Sequence, residues 1–97
     1  MREVWLVKPD QKSKAEDALK KDDLVSRQSI FIRSAGALGF SDEGFFIIID
    51  GSDHALKVAE GLLKGMAEKY VKKEKVLQEF DSQEAKTSEA FGFIIGG

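Results

Sequence analysis

The chain has 97 residues, of which 42% are hydrophobic and 33% are charged, and this size and composition predict a single domain spanning residues 1–97. Its 15 basic and 17 acidic side chains leave a formal net charge of -2, so no basic excess attracts nucleic acid or an anionic membrane. Cysteine is absent, which excludes disulfides, thiolate metal sites and cysteine nucleophiles.

The composition also bears on where the protein works. No apolar run approaches the roughly 20 residues that span a bilayer, and the first residues lack the charged-then-apolar pattern of a signal peptide. Asparagine is absent while Lys and Glu are abundant, a composition typical of proteins from hot environments. We therefore expect a cytoplasmic protein of thermophilic origin.

The first elements are a strand and a short helix. The segment "EVWLVK", residues 3–8, is rich in β-favouring side chains on both faces and ends before Pro9, which cannot donate to a sheet ladder. The following "QKSKAEDALKKDD" carries a narrow apolar stripe at helical spacing. The members of that stripe are Ala15, Ala18 and Leu19.

Two further strands follow, separated by a glycine-rich loop. In "RQSIFIRS", Ile30 and Ile32 share one face while Phe31 and Arg33 share the other. The five consecutive apolar residues Phe45–Ile49 predict a central strand that is buried on both faces.

The segment "DGSDHALKVAEGLLKGMAEKYVKK" has the strongest helical pattern in the chain. Ser52 is a favourable N-cap, and Asp53 places negative charge at the positive end of the helix dipole. Gly61 and Gly65 are four residues apart, and glycine is unfavourable inside a helix. The pair therefore predicts a close approach to another backbone.

The C-terminal part of the sequence is less clearly patterned. In residues 72–89, Val76, Leu77 and Phe80 fit either a helical turn or a short strand. The apolar "FGFII" predicts a last strand at the edge of the sheet, with Gly96 and Gly97 as its frayed end.

The predicted element order is that of a ferredoxin-like α+β sandwich, βαββαβ. We expect an antiparallel sheet with the first and third strands central and two helices on one face. The other face would stay open, and an open aromatic face is unusual for a monomer. Trp5, Phe31, Arg33 and Phe45 are the predicted binding residues on this face, and we expect it to mediate homodimerisation.

Two stretches resemble the strands of RNA-recognition modules, in which aromatic side chains stack on bases. "VWLVKP" places Trp5 where the first-strand aromatic lies, and "EGFFIIID" resembles the third-strand signature at Gly44 and Phe45. The departures from that signature are Glu43, Ile47 and Asp50. This resemblance implies an alternative function, single-stranded nucleic-acid binding, that the lack of basic excess does not favour.

The last residues, "IIGG", resemble the C-terminus of ubiquitin-like and sulfur-carrier proteins. That resemblance implies a second alternative, in which Gly97 is adenylated and carries a thiocarboxylate or an isopeptide bond. The preceding apolar residues instead indicate a strand that is tied into the sheet.

Sites for catalysis are not evident in the sequence. "GALG" follows a strand, where a small-residue turn is the expected structure. "DGSDH" combines Asp50, Asp53 and His54, but helix capping accounts for this segment. A single histidine supports no Ser/His/Asp triad. We expect no cofactor, no bound metal and no enzymatic activity.

The stretch "GFFIIIDGSDHALKVAEGLLKG" is similar to small uncharacterised archaeal α/β proteins, a resemblance that implies no activity. The same strand, turn and helix also occur in small regulatory ligand-binding domains. The sequence therefore predicts a non-enzymatic binding or regulatory module that self-associates and recognises a small molecule or a protein.

Overall fold

A computed structural model of the chain describes the backbone of residues 1–96 and the side chains of residues 1–84. The strands and helices are β1 (Arg2–Val7), α1 (Lys12–Lys21), β2 (Ser29–Ser34), β3 (Phe45–Asp50), α2 (Asp53–Leu63), β4 (Ala67–Lys69) and α3 (Lys73–Gly96). Short 3-10 turns occupy Pro9–Gln11, Val25–Arg27 and Gly36–Leu38.

The four strands form one sheet in the order β2-β3-β1-β4, and every neighbouring pair is antiparallel. β1 lies along the whole of β3, from Arg2 opposite Asp50 to Val7 opposite Phe45. The predictions of an α+β class, of an antiparallel sheet and of a central first and third strand are therefore confirmed. The central strands read as continuous apolar runs because both of their faces are covered.

Helices α1 and α2 pack on one side of the sheet, which we call the helical face. Alternate residues of the central strands point to it, among them Trp5 and Ile47. Its buried residues are Trp5, Val7, Ala15, Leu19, Val25, Ile47, Ile49, Leu56, Ala59 and Leu63. Ser52 caps α2 as expected, because its Oγ accepts a hydrogen bond from the N–H of Ala55 at 3.1 Å.

The prediction of an open second face is wrong, because α3 covers that side, which we call the α3 face. Its buried residues are Val4, Ala35, Leu38, Phe46, Ile48, Val76, Leu77 and Phe80. Arg2 also donates two hydrogen bonds to the Asp81 carboxylate, at 2.6 and 3.0 Å. Leaving this face open would expose the apolar side chains of two central strands, and burying them drives α3 onto the sheet.

The predicted last strand is also wrong. Residues 90–96, which include "FGFII", belong to α3, while the fourth strand is Ala67–Lys69, inside the segment predicted as one long helix. Gly65, with φ of +84°, ends α2 early because left-handed backbone cannot continue a right-handed helix. Gly97, part of the expected frayed end, lies outside the described residues.

Candidate functional site

The predicted binding residues do not form one platform. Trp5 and Phe45 lie on the helical face, whereas Phe31 packs on the α3 face. Arg33, two residues after Phe31 on β2, shares its face. The expectation that all four residues share one open surface is therefore wrong, since side chains alternate along each strand and helices cover both faces.

Phe31 and Arg33 hold α3 against the sheet. The rings of Phe31 and Phe80 are 5.0 Å apart, and the Arg33 guanidinium lies 5.5 Å from the Phe80 ring. The same guanidinium donates to Glu84 at 3.1 Å and to the carbonyl oxygen of Ile32 at 3.1 Å. These contacts occupy the two side chains within the protein itself.

Trp5 and Phe45 differ in how much of each ring reaches solvent. Phe45 is half-buried, and the ammonium of Lys12 lies 5.0 Å from the centre of its ring. Trp5 is only 1% exposed and belongs to the core beneath α2. The Trp5 ring therefore presents no free face of the kind that base stacking requires, and Lys12 lies against the ring of Phe45.

A groove between the end of α2 and β4 reaches down to Trp5. We call it the Trp5 groove, and its volume is about 540 Å³. Its lining residues are Trp5, Lys57, Glu60, Gly61, Lys64, Gly65, Ala67 and Glu68. A second groove, of about 560 Å³, lies along the same edge and shares Gly65, Ala67 and Glu68 with the first.

Trp5 lines this groove although it is only 1% exposed. The structure gives its indole N–H no hydrogen-bond partner among the described residues, and it leaves no fully buried side-chain nitrogen there without a partner. A donor held at the base of a concave site is the kind of group that orients a ligand.

The two glycines that line the Trp5 groove do not approach another backbone within the described chain, so the predicted contact with the sheet is not formed. A Cβ atom placed on either Gly61 or Gly65 would meet no heavy atom within 4 Å in the described part of the chain. The positive φ of residue 65 explains why glycine occupies that position. Gly61 lies inside α2, where its missing side chain leaves space in the groove.

The charges around the groove are partly paired. Lys69 binds Glu60 at 3.0 Å, and this hydrogen bond is the main cause that raises the pKa of Lys69. Lys57 pairs with Asp53 at 3.2 Å. Lys64 and Glu68 line the groove without an ion-pair partner among residues 1–84, so one charge of each sign is available there.

Sequence reasoning missed Lys64 and Glu68 because they belong to a run of charged residues that resembles an ordinary solvated surface. The unfavourable Gly61 inside α2 is the one available signal in the sequence, and its spacing from Gly65 predicts a packing contact and not a groove. Only the position of β4, which the sequence did not predict, brings these residues beside Trp5.

The remaining motifs have structural roles. His54 is exposed beside the capped start of α2, and no group of three metal-ligating side chains occurs within the described residues. "GALG" forms a 3-10 turn that ends at Gly39, with φ of +82°. Tyr70 donates to Asp42 at 2.8 Å, and burial, followed by this hydrogen bond, raises the pKa of Tyr70.

Comparisons with known proteins add no relative: no family model, no curated protein and no solved structure matches the chain. No helix in the described part of the chain is both long enough and apolar enough to cross a membrane.

Proposed function

We propose that this protein is a non-enzymatic binding module and that the Trp5 groove is its binding site. The observation that carries the proposal is that the almost fully buried Trp5 lines the groove and that its indole N–H has no hydrogen-bond partner among the described residues. We infer that this N–H faces the groove. An unpaired donor beside a concavity of about 540 Å³ favours a ligand that supplies the missing acceptor. In this proposal the Trp5 groove takes the place of the predicted open sheet face as the binding surface.

The lining of the groove favours a small polar ligand, either free or at the end of a protein segment. A carbonyl or carboxylate oxygen would accept from Trp5, and Lys64 and Glu68 would attract charges of opposite sign on the same ligand. The ligand class is thus one that carries a hydrogen-bond acceptor and both a positive and a negative group.

We further propose that the fold is a variant of the ferredoxin-like sandwich. The antiparallel order β2-β3-β1-β4 and the alternation of strands and helices through β4 support this assignment. The variation lies in the three-residue β4 and in α3, the additional helix that covers the second face.

The nucleic-acid alternative has less support, because it required aromatic rings on an open face. Trp5 is buried under α2 and Phe31 lies against α3. The carrier alternative required a thin extended tail, whereas α3 continues through Gly96. The groove therefore remains the better candidate.

The test uses the single tryptophan of the chain, which gives one indole N–H signal in a ¹H–¹⁵N spectrum. Mixtures of free amino acids, short peptides, nucleotides and dicarboxylates are added to the labelled protein in turn. We expect a binding compound to shift the indole signal of Trp5 together with the backbone signals of Gly61 and Gly65.

Trp5→Phe is the matched variant, because it keeps a buried aromatic ring and removes the donor together with part of the ring volume. Its binding is followed by the backbone signals of Gly61 and Gly65, since the variant has no indole. Loss of one hydrogen bond worth about 1 kcal/mol weakens binding about fivefold. A well-dispersed spectrum of the variant checks that it is folded. If binding compounds shift only signals far from the groove, or if none of these classes shifts the indole signal, the proposal is wrong.

A further inference from the structure

The two outer strands of the sheet differ in how they are protected. β4 has three residues, two of them the charged Glu68 and Lys69, and short, charged edges resist pairing with other chains. β2 has six residues, "SIFIRS", with one charge and neither glycine nor proline. A long apolar edge of this composition is a template for another strand.

The hydrogen bonding of β2 shows which backbone groups are free. Ala35 donates a hydrogen bond to the carbonyl oxygen of Gly44 at 2.9 Å. In an antiparallel pair every second residue is hydrogen-bonded to the neighbouring strand, so Ser29, Phe31 and Arg33 bond to β3. Ile30, Ile32 and Ser34 therefore direct their N–H and C=O groups away from the sheet. Among them, the Ile32 carbonyl is held by Arg33 at 3.1 Å.

A strip of α1 runs beside this edge and carries both signs of charge. A shallow groove of about 210 Å³ lies between them, lined by Glu16, Leu19, Lys20, Ile30 and Ile32. Lys20 and Glu16 pair with each other at 2.9 Å. Across a two-fold axis that passes midway between Glu16 and Lys20, each of the two comes opposite the other in the second copy, so the strip can be complementary to itself.

We propose that a second copy of this chain pairs with β2 in antiparallel fashion and joins the two sheets into one. Placing Ile32 opposite its own counterpart uses the outward groups of Ile30, Ile32 and Ser34 in both copies. The guanidinium of Arg33 then leaves the Ile32 carbonyl and lies across from Phe31 of the second copy. The Trp5 groove, at the opposite edge of the sheet, stays open, so this interface is independent of the proposed binding function.

The pairing predicts a distance that spin labels can measure. The chain has no cysteine, so Ser29→Cys creates a unique attachment point for a nitroxide on the exposed end of β2. In this register the two copies of residue 29 lie six residues apart along neighbouring strands, which is about 20 Å at the usual rise of a strand. We expect pulsed electron paramagnetic resonance to detect that short distance.

Val71→Cys is the matched control, because Val71 is 97% exposed beyond β4 at the other edge. Labels there should lie more than about 30 Å apart, since each strand adds about 4.8 Å of separation. A short Val71 distance with a long Ser29 distance would mean pairing through β4 and would overturn the proposal. A monomeric mass without dipolar coupling at either position would overturn it as well.

Charge reversal tests the α1 strip separately. In the Lys20→Glu dimer, two acidic side chains of one copy face two acidic side chains of the other and repel them. Since two symmetry-related surface pairs are lost, we expect the dissociation constant of the dimer to rise at least about fivefold. Lys57→Glu breaks an equivalent pair on α2 and should leave the dissociation constant of the dimer unchanged. Equal effects of the two variants, measured by sedimentation on proteins with unaltered circular dichroism, would contradict the proposed interface.

Discussion

At the scale of single residues, two glycines of this chain have opposite requirements for space. A Cβ on Gly44, whose φ is +118°, would collide with the carbonyl oxygen of Val7. A Cβ on Gly61 would enter the open Trp5 groove and meet no described heavy atom within 4 Å. Gly44 is therefore required by the fold, while Gly61 is not.

We expect Gly61→Ala to raise the free energy of unfolding by about 1 kcal/mol, because alanine is the better helix former and nothing obstructs it. Gly44→Ala should lower that free energy by more than about 1 kcal/mol, since its backbone conformation and its surroundings both oppose a side chain. Urea titrations followed by Trp5 fluorescence measure both changes.

A stabilising Gly61→Ala would also separate stability from binding, since the added methyl group narrows the groove. We expect compounds that shift the Trp5 indole signal to bind this more stable variant less tightly. A variant that is less stable than the parent would show that Gly61 has a packing role that the structure does not contain.

The pair between Arg2 and Asp81 gives the fold a dependence on acid pH. Hydrogen bonding to Arg2 is the main cause that lowers the pKa of Asp81. A carboxyl group whose pKa is lower in the folded chain stabilises the fold above its unfolded pKa of about 4, and loses this effect as the pH falls through the folded value. Both side chains are partly solvated, at 34% and 53% exposure, which limits the effect.

Asp81→Asn should therefore lower the free energy of unfolding at pH 7 by less than about 1 kcal/mol. The difference from the parent should shrink as the pH falls through the folded pKa of Asp81, where the parent carboxyl takes up a proton. Glu79→Gln, which removes a charge from an exposed position of the same helix, is the control. Denaturant titrations from pH 7 into the acid range measure the effect, and a difference that stays constant over that range would rule out this cause.

At the scale of elements, α3 depends on a few apolar side chains near its start. Phe80 is almost fully buried, against Phe31 and below Arg33. We expect Phe80→Ala to lower the free energy of unfolding by about 3 kcal/mol or more, the range for a large aromatic side chain removed from a core. Glu79→Ala, an exposed neighbour, should change it by less than about 0.5 kcal/mol. If Phe80→Ala and Glu79→Ala lower the free energy of unfolding by similar amounts, then helix propensity stabilises α3 and packing against the sheet does not.

The elements that the sequence predicted are those with a strong local signal. The apolar runs of β1 and β3 and the Ser52 cap of α2 are visible without knowledge of the fold. The end of α2 was missed because Gly65 was interpreted as an interior residue and not as a helix terminator. The sequence predicts a strand for "FGFII", but the structure has a helix there. A short apolar run fits either element, so periodicity alone does not decide between them.

The candidate site was less predictable than the fold. The sequence predicts Trp5 as a binding residue, but on an exposed platform that the structure does not form, since Trp5 lies in the core beneath α2. Its groove exists only because β4 folds back beside β1, with Trp5 opposite Lys69. Contacts made by three residues at the edge of a sheet leave no periodic pattern in a sequence, so the neighbours of Trp5 could not be inferred.

At the scale of the whole molecule, the two cores share the same central strands. Val4 and Phe46 belong to one core while Trp5 and Ile47, their neighbours in the chain, belong to the other. We expect one cooperative unfolding transition, so that Trp5 fluorescence and far-ultraviolet circular dichroism change together. Phe80→Ala should shift both signals equally, although Phe80 and Trp5 lie on opposite faces. Two separate transitions would mean that α3 detaches on its own.

The position of α3 at the end of the described chain has a consequence for biosynthesis. Every strand that α3 covers precedes it, so a sheet that forms before α3 has emerged from the ribosome exposes Val4, Phe46 and Ile48. For that interval the nascent protein presents on its surface the kind of apolar patch that binds chaperones or other unfinished chains. A chain truncated after residue 72 would hold a sheet with one face bare, and we expect it to bind chaperones more strongly than the full chain does.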